Sequence, residues 1–198
     1  MTDPLQKSLV GYRIVLASAS PRRQQFFKEM GCEFEVRIQA VEEIHPPALQ
    51  GSEIACFLSK LKATPFEGTL NPNEILVTSD TVVWHKDNSL AKADNEEEAY
   101  EMLTTLSGEW HEVITAVTFT TTIAQKTVYD TTRVRFKKLS EAEIRYYIKT
   151  FKPFDKAGAY GIQEWIGLIG IEEIHGSYTN VVGLPTRLVY ETLMSMPS

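Results

Sequence analysis

Apolar positions along this chain switch between two periods, one suited to strands and one to helices. Ile14-Val15-Leu16-Ala17 is a short unbroken apolar run, as a strand covered on both faces carries. Ser18-Ala19-Ser20-Pro21-Arg22-Arg23 follows it, and Gln24 to Met30 reads as helix. Pro21 suits the first helical position, because its fixed φ is already helical and its missing N–H would be unpaired there. Ser20 is then the expected N-cap and Gly31 the C-terminal stop. Phe34-Glu35-Val36-Arg37-Ile38 alternates and predicts a strand. Residues 40–51, with Pro46, Pro47 and Gly51, predict a loop. Ser52 opens a helix carrying Ile54, Ala55, Leu58, Leu61 and Lys62, which Pro65 and Gly68 end; residues 69–73 form a turn.

The second half repeats the mixture. Ile75-Leu76-Val77-Thr78 predicts a short buried strand, Ser79-Asp80-Thr81 interrupts it, and Val82-Val83-Trp84 resumes the apolar run. Lys86-Asp87-Asn88-Ser89 predicts a hairpin turn. Asn95 caps a helix from Glu96 to Leu106, whose acidic first turn suits the macrodipole, and Gly108 closes it. Residues 112–122 and 126–137 are rich in Val and Thr and predict long strands. Ser140 and Glu143 form a capping box for a helix through Ile148. Residues 155–185 are spaced by glycines and follow neither period. A last helix starts near Pro185 and carries Leu188, Val189, Leu193 and Met194. Crossover and hairpin connections therefore mix, which predicts an α/β fold: a mixed β-sheet with flanking helices. No repeat or composition break marks a linker, so residues 1–198 are expected to form one domain.

Composition narrows the function classes. The chain has 198 residues and a net charge of −6, which disfavours broad binding to nucleic acid. An anion site must then be local, built from a few placed cations. Cys32 and Cys56 lack a Cys-x-x-Cys partner, so neither a disulfide framework nor a thiolate zinc site is expected. No apolar signal core opens the sequence, and no apolar run approaches the ~18 residues of a membrane span. A cytoplasmic protein without membrane partners is the expectation.

Several positions could carry chemistry. A helix N-terminus offers N–H donors and partial positive charge. With Ser18, Ser20, Arg22 and Arg23 at one point, a polyphosphate is a natural guest, although an ordinary capped helix has the same local pattern. Asp80 interrupts an apolar run, so it sits either at a strand end facing a cleft or as a costly buried charge. An ordinary carboxylate is a weak base at neutral pH and works better beside a divalent metal that acidifies a bound water. Glu42 and Glu43 could add oxygen ligands or form a solvated acidic loop. Lys62 and Lys92 are single lysines near segment ends. Asp155 to Gln163 holds two glycines among charged and amide groups, which suits close approach of backbone to a ligand or of chain to chain. His45, His85, His111 and His175 show no metal spacing and are expected to be structural or exposed. Trp84, Trp110 and Trp165 are expected to pack in the core or a groove.

Taken in order, these stretches resemble the Maf-like nucleoside triphosphate pyrophosphatases over nearly the whole chain. Leu16 to Arg23 is similar to that family's N-terminal signature, and Lys62-Ala63 to the pair ending its second helix. Ser79-Asp80-Thr81-Val82-Val83 is similar to its central acidic motif. Leu103 to Thr115, with Ser107-Gly108 and His111, is similar to its helix-to-strand junction. Asp155 to Gln163 and Gly176 to Pro185 are similar to its C-terminal signatures. The resemblance implies two lobes around a central cleft, a fold related to the inosine-triphosphate pyrophosphatases. It also implies cleavage between the α- and β-phosphates, a divalent cation (Mg2+ or Mn2+), and commonly a homodimer.

Carried over position by position, the resemblance makes Asp80 the catalytic acid-base residue, and Glu43 with Asp80 the metal-side carboxylates. Ser18, Arg23, Lys62 and Lys92 match phosphate-contacting positions. Arg22, Thr81 and Gln163 match the positions that separate subfamilies, in the combination similar to the branch acting on dTTP and UTP. The branch acting on 7-methyl-GTP has Trp, Gln and Glu there. An amide such as Gln163 offers a donor to a pyrimidine C=O and an acceptor to its N–H, whereas a guanine edge suits a carboxylate. Three departures stand out. Ala91-Lys92-Ala93 replaces Gly-Lys-Pro, Ala116 replaces a glycine, and Glu164-Trp165 follows Gln163 where glycine is usual. The expected activity is hydrolysis of dTTP and UTP, with modified pyrimidine nucleotides as a further substrate class. The alternatives are a 7-methyl-GTP-type pyrophosphatase and a non-catalytic nucleotide-binding regulator of cell division.

Overall fold

A computed structural model describes residues 4–196. In chain order the elements are α1 (Pro4–Ser8), β1 (Arg13–Leu16), α2 (Pro21–Glu29), β2 (Phe34–Val36), α3 (Ser52–Leu61), a 3-10 turn (Thr64–Phe66), β3 (Glu74–His85) and β4 (Asn88–Leu90). They continue as α4 (Glu96–Leu106), β5 (Trp110–Thr120), β6 (Gln125–Phe136), α5 (Glu141–Phe151), α6 (Trp165–Gly170), β7 (Ile171–His175), α7 (Tyr178–Val182) and α8 (Thr186–Ser195). The strands form a seven-stranded sheet in the order β2-β1-β3-β5-β6-β7, with β4 on β3. It is mixed: β1 runs parallel to β2 and β3, while β3–β4 and β6–β7 are antiparallel. The expected class, a mixed sheet with flanking helices, holds.

The chain divides into two compact units. One contains the described residues through Asp80, Thr115–Asp130, and those from Gly183 onward; the other contains Thr81–Ile114 and Thr131–Val182. The boundary on β3 falls between Asp80 and Thr81.

The first unit holds the parallel strands. Ile14 and Leu16 of β1 and Ile75 and Val77 of β3 pack with Phe27, Phe119, Val189 and Leu193. Val15 and Leu76, pointing the other way, pack with Ala63 and Phe66. Strand alternation therefore buries Ile14 to Leu16 and Ile75 to Val77 on both faces, which is why those runs are unbroken. Helix α1, which sequence periodicity did not predict, brings Leu5 into the same core. In the second unit α4 and α5 cover β5 and β6 through Leu103, Leu106, Val134, Phe136, Ile144 and Tyr147.

The local start signals work as expected. Ser20 caps α2 with Pro21 at N1, Asn95 caps α4, and Ser140 and Glu143 form a complete capping box on α5. Two expectations need correction. β3 is one continuous strand of 12 residues through Ser79-Asp80-Thr81, not two pieces. β2 ends at Val36, so Ile38 is exposed outside it. The segment without a period, 155–185, contains α6, β7 and α7.

At the start of β3 Glu74 is almost fully buried and is satisfied by Arg37 and by the Asn71 N–H. The Arg37 hydrogen bonds hold its carboxyl down at about 2. Lys137 and the Ser140 cap hold Glu143 at about 2 as well. Both carboxyl groups are depressed below the ordinary glutamate value near 4.3. Their contribution is therefore complete above about pH 4.5 and is lost as pH falls towards 2. The expected outcome is a melting temperature that drops steeply between those values. Arg37→Ala should cost on the order of 3 kcal/mol at neutral pH and flatten that drop, as measured by circular dichroism melts across pH.

Candidate active site

The loop from Ser18 to Arg23 folds by satisfying its own polar groups. Ser18 Oγ accepts from the Ser20 N–H at 3.2 Å, and the Gln24 side-chain amide donates to the Ser18 carbonyl at 3.1 Å. Ser20 Oγ accepts from the Arg23 N–H. Arg23 then reaches out from the first turn of α2. Its Nε donates to the Gly183 carbonyl and its Nη1 to the Ser79 carbonyl, each at 2.9 Å. Two fixed acceptors hold the planar guanidinium at a set angle beside the acidic motif of β3. Burial lowers the Arg23 pKa, the Asp80 and Glu43 charges oppose that effect, and Arg22 adds to it. A guanidinium starts so far above neutrality that it stays charged.

Asp80 lies mid-strand and is 6% exposed. The Lys62 Nζ meets its Oδ1 at 2.6 Å and also meets Glu43 Oε1 at 3.1 Å. Lys62 stands at the C-terminal cap of α3. The end of that helix is fixed to β3 by hydroxyl groups. Thr78 Oγ1 donates to the Ser59 carbonyl at 2.6 Å, and Ser59 Oγ lies 2.8 Å from Thr118 Oγ1, which in turn lies 2.9 Å from Thr127 Oγ1. Lys62 follows Ser59 by less than one helical turn, so these hydroxyls set where its ammonium falls. Of the candidate residues, Arg23, Glu43, Lys62 and Asp80 are brought together in this unit. Ser18 lies in the loop that leads into Arg23, with its hydroxyl turned to the backbone, and Arg22 is half-buried beside Arg23. Glu42 and Glu43 are both exposed on their loop, and it is Glu43 that pairs with Lys62.

Thr81, Lys92 and Gln163 belong to the second unit. There Lys92 makes an isolated antiparallel bridge with Ala157, and the Gly158 N–H bonds the Leu90 and Ala91 carbonyls. The backbone around Lys92 is thus held without the proline and glycine that the family places beside it. Gly158 is at φ +67°, and a Cβ there would lie 3.0 Å from the Val83 side chain, so close packing of chain on chain accounts for this glycine. Gln163 is exposed and lines a surface cavity of about 410 Å3 with Ile162, Gly167, Leu168, Ile171 and Tyr178.

The histidines serve the fold. His111 Nε2 lies 2.7 Å from the Tyr160 hydroxyl, its ring stacks on Phe136, and burial pushes its pKa down to about 3. His85 Nδ1 bonds the Trp110 carbonyl. Among the described residues no three of the His, Cys, Asp and Glu side chains are grouped to hold a metal. Asp80 and Glu43 do gather two carboxylates on one ammonium. That set suits a hard cation taking one or two carboxylates plus substrate phosphates, and not a tetrahedral zinc site. No helix among the described residues is long and apolar enough to cross a membrane.

Sequence reasoning missed the hydroxyl chain of Ser59, Thr78, Thr118 and Thr127. It also missed the roles of Tyr147 and Glu164, whose side chains hydrogen-bond to each other beside Gln163. The one available signal was the polar character of Ser59 and Thr78 at otherwise apolar positions.

A mid-strand carboxylate held by an ammonium at the end of α3, with a braced guanidinium in the first turn of α2, is a set of groups suited to phosphate chemistry. The profile of the Maf-like protein family matches residues 13–196, and this chain belongs to that family. It is 54% identical to a dTTP/UTP pyrophosphatase of Flavobacterium johnsoniae, over 97% of this chain and 99% of that protein. It is 50% identical to one of Christiangramia forsetii, over 97% and 98%, and 46% identical to one of Bacteroides fragilis, over 93% and 96%. Among solved structures, the Staphylococcus aureus Ham1 protein aligns at 13% identity over 63% of this chain and 71% of that one. Its TM-score is 0.41, which is too low to bear on fold or function.

The pairing of Lys62 with Asp80 has a direct stability consequence. Lys62→Met leaves a buried carboxylate without its ammonium and should cost about 3 kcal/mol. In the Lys62→Met, Asp80→Asn double variant the stranded charge is gone, and most of that loss should be recovered. Urea unfolding of the single and double variants measures the coupling.

Proposed function

We propose that this chain hydrolyses dTTP and UTP to the nucleoside monophosphate and pyrophosphate. The observation that carries the proposal is the Asp80 carboxylate held by Lys62 beside the braced Arg23, in a chain that shares half its residues with dTTP/UTP pyrophosphatases. In this reaction a water oxygen bonds to the α-phosphorus, and the bond from that phosphorus to the oxygen bridging to the β-phosphate breaks. Asp80 takes the proton from the water, and Lys62, already on its Oδ1, holds the carboxylate in place. Arg23 and Lys62, with Ser18 and Lys92, are assigned to the phosphate oxygens, where fixed cations stabilise the charge that moves onto the leaving pyrophosphate. Arg22, Thr81 and Gln163 are assigned to the choice of base.

Asp80 and Glu43 are the residues that would hold a divalent cation, Mg2+ or Mn2+. Such an ion supplies charge neutralisation at the phosphates and a more acidic water. We read residues 1–198 as one Maf-like domain acting in the cytoplasm. The resemblance further implies a homodimer, and neither nucleic acid nor membrane is a partner in this proposal.

The test is pyrophosphate release from a panel of dTTP, UTP, modified pyrimidine triphosphates and 7-methyl-GTP, with Mg2+ or Mn2+. Turnover should be highest on dTTP and UTP, and a chelator should abolish it. Asp80→Asn should lower kcat by about 10^2 to 10^4-fold with the fold intact. Preference for 7-methyl-GTP would overturn the base assignment. Tight binding of dTTP without turnover would establish the non-catalytic regulator instead.

A further inference from the structure

Gln163 is exposed, yet the backbone on either side of it is held unusually firmly, and the holding side chains come from three different segments. Tyr147 of α5 is fully buried. Its hydroxyl accepts from the Gly161 N–H at 3.0 Å and donates to Glu164 Oε2. The other carboxylate oxygen, Oε1, meets Lys156 Nζ at 3.0 Å, and Lys156 also pairs with Asp155 at 2.6 Å. The turn closes on itself as well, since the Glu164 N–H donates to the Gly161 carbonyl at 3.0 Å. One phenol and one carboxylate thus fasten residues 161 and 164, with Gln163 between them.

The space around this fastening is full. A Cβ at Gly161 would come within 2.9 Å of the Glu164 carboxyl carbon and 3.0 Å of the Lys156 stem. On the far side Gly167 of α6 sits so close that a Cβ there would overlap the Ile162 carbonyl at 1.7 Å. Ile162 itself is buried in the core of the unit. A turn with both flanks tied gives its one exposed side chain a fixed base to project from. Selection among nucleobases by an amide depends on where its donor and acceptor point, and a fixed base sharpens that direction.

We propose that Glu164 is a positioning residue for base selection: with Tyr147 and Lys156 it locks the Gly161–Glu164 turn and so aims the Gln163 amide. This rests on the assignment of Gln163 to the base in the proposed function. It departs from a purely structural part for Glu164, which would stabilise the unit without affecting which nucleotide is chosen.

Two arms of one experiment test it, on Glu164→Ala, Glu164→Gln, Tyr147→Phe, Gln163→Ala and the Gln163→Ala, Glu164→Ala double variant, with thermal melts to confirm that each is folded. The first arm is amide hydrogen exchange over residues 161–167 without nucleotide. Glu164→Ala and Tyr147→Phe should speed exchange there about tenfold or more, and Glu164→Gln, which keeps an oxygen for the Tyr147 hydroxyl, should speed it less. Unchanged exchange in Glu164→Ala overturns the lock.

The second arm is the ratio of kcat/KM for UTP over CTP. Glu164→Ala should lower it about 10- to 100-fold, chiefly through KM for UTP, and adding it to Gln163→Ala should change little further. A uniform loss of kcat on all nucleotides, or effects that add in the double variant, overturns the positioning role. If the wild-type chain turns over no nucleoside triphosphate, the proposed function fails on its own, and the exchange arm still decides whether the turn is locked.

Discussion

A carboxylate in the middle of a buried strand must be neutralised or the strand will not stay buried, and this constraint shapes the first unit. Asp80 meets it with Lys62, at 2.6 Å. For that contact to exist, α3 must end where it does, and Ser59 and Thr78 fix that end by hydrogen bonds through the strand. Taking one charge out of water is costly, and an ion pair offsets the cost only when its geometry is good. The same arrangement that makes Asp80 tolerable also makes it useful. A carboxylate with one oxygen held by an ammonium has a defined direction, and the nearby Glu43 brings a second carboxylate to the same ammonium.

The loop before α2 is governed by a similar economy of hydrogen bonds. Its two serines, which look in the sequence like two phosphate ligands, both accept from backbone N–H groups of the loop itself. Arg23 spends two of its donors on carbonyls from distant parts of the chain. The loop is therefore rigid before any substrate arrives. Pre-organisation of this kind lowers the reorganisation needed when charge develops on a phosphate.

What the sequence made legible follows from the range of the interactions. Helix starts were readable because a cap is a local event, satisfied within four residues, as at Ser20, Asn95 and Ser140. The constellation of Asp80, Lys62 and Arg23 was reached through ordered motifs, and no spacing rule foretold that their side chains would meet. Ser79-Asp80-Thr81 looks like a break in the sequence because a polar residue usually ends an apolar strand. Here β3 continues because Thr78 and Asp80 each find a partner on or beside α3. Residues 155–185 stayed opaque because their order depends on Tyr147, Lys156 and Glu164 meeting in three dimensions, not on any repeat along the chain. The glycines there answer to close packing, as at Gly158 and Gly161, more than to turns.

In the proposed reaction water attacks the α-phosphorus under the control of the Asp80 and Lys62 pair. Its most direct measurement is hydrolysis of dTTP in water enriched in oxygen-18, with the label located by mass spectrometry. One labelled oxygen is expected in the monophosphate and none in the pyrophosphate. Label in the pyrophosphate, or release of inorganic phosphate in place of pyrophosphate, would contradict it.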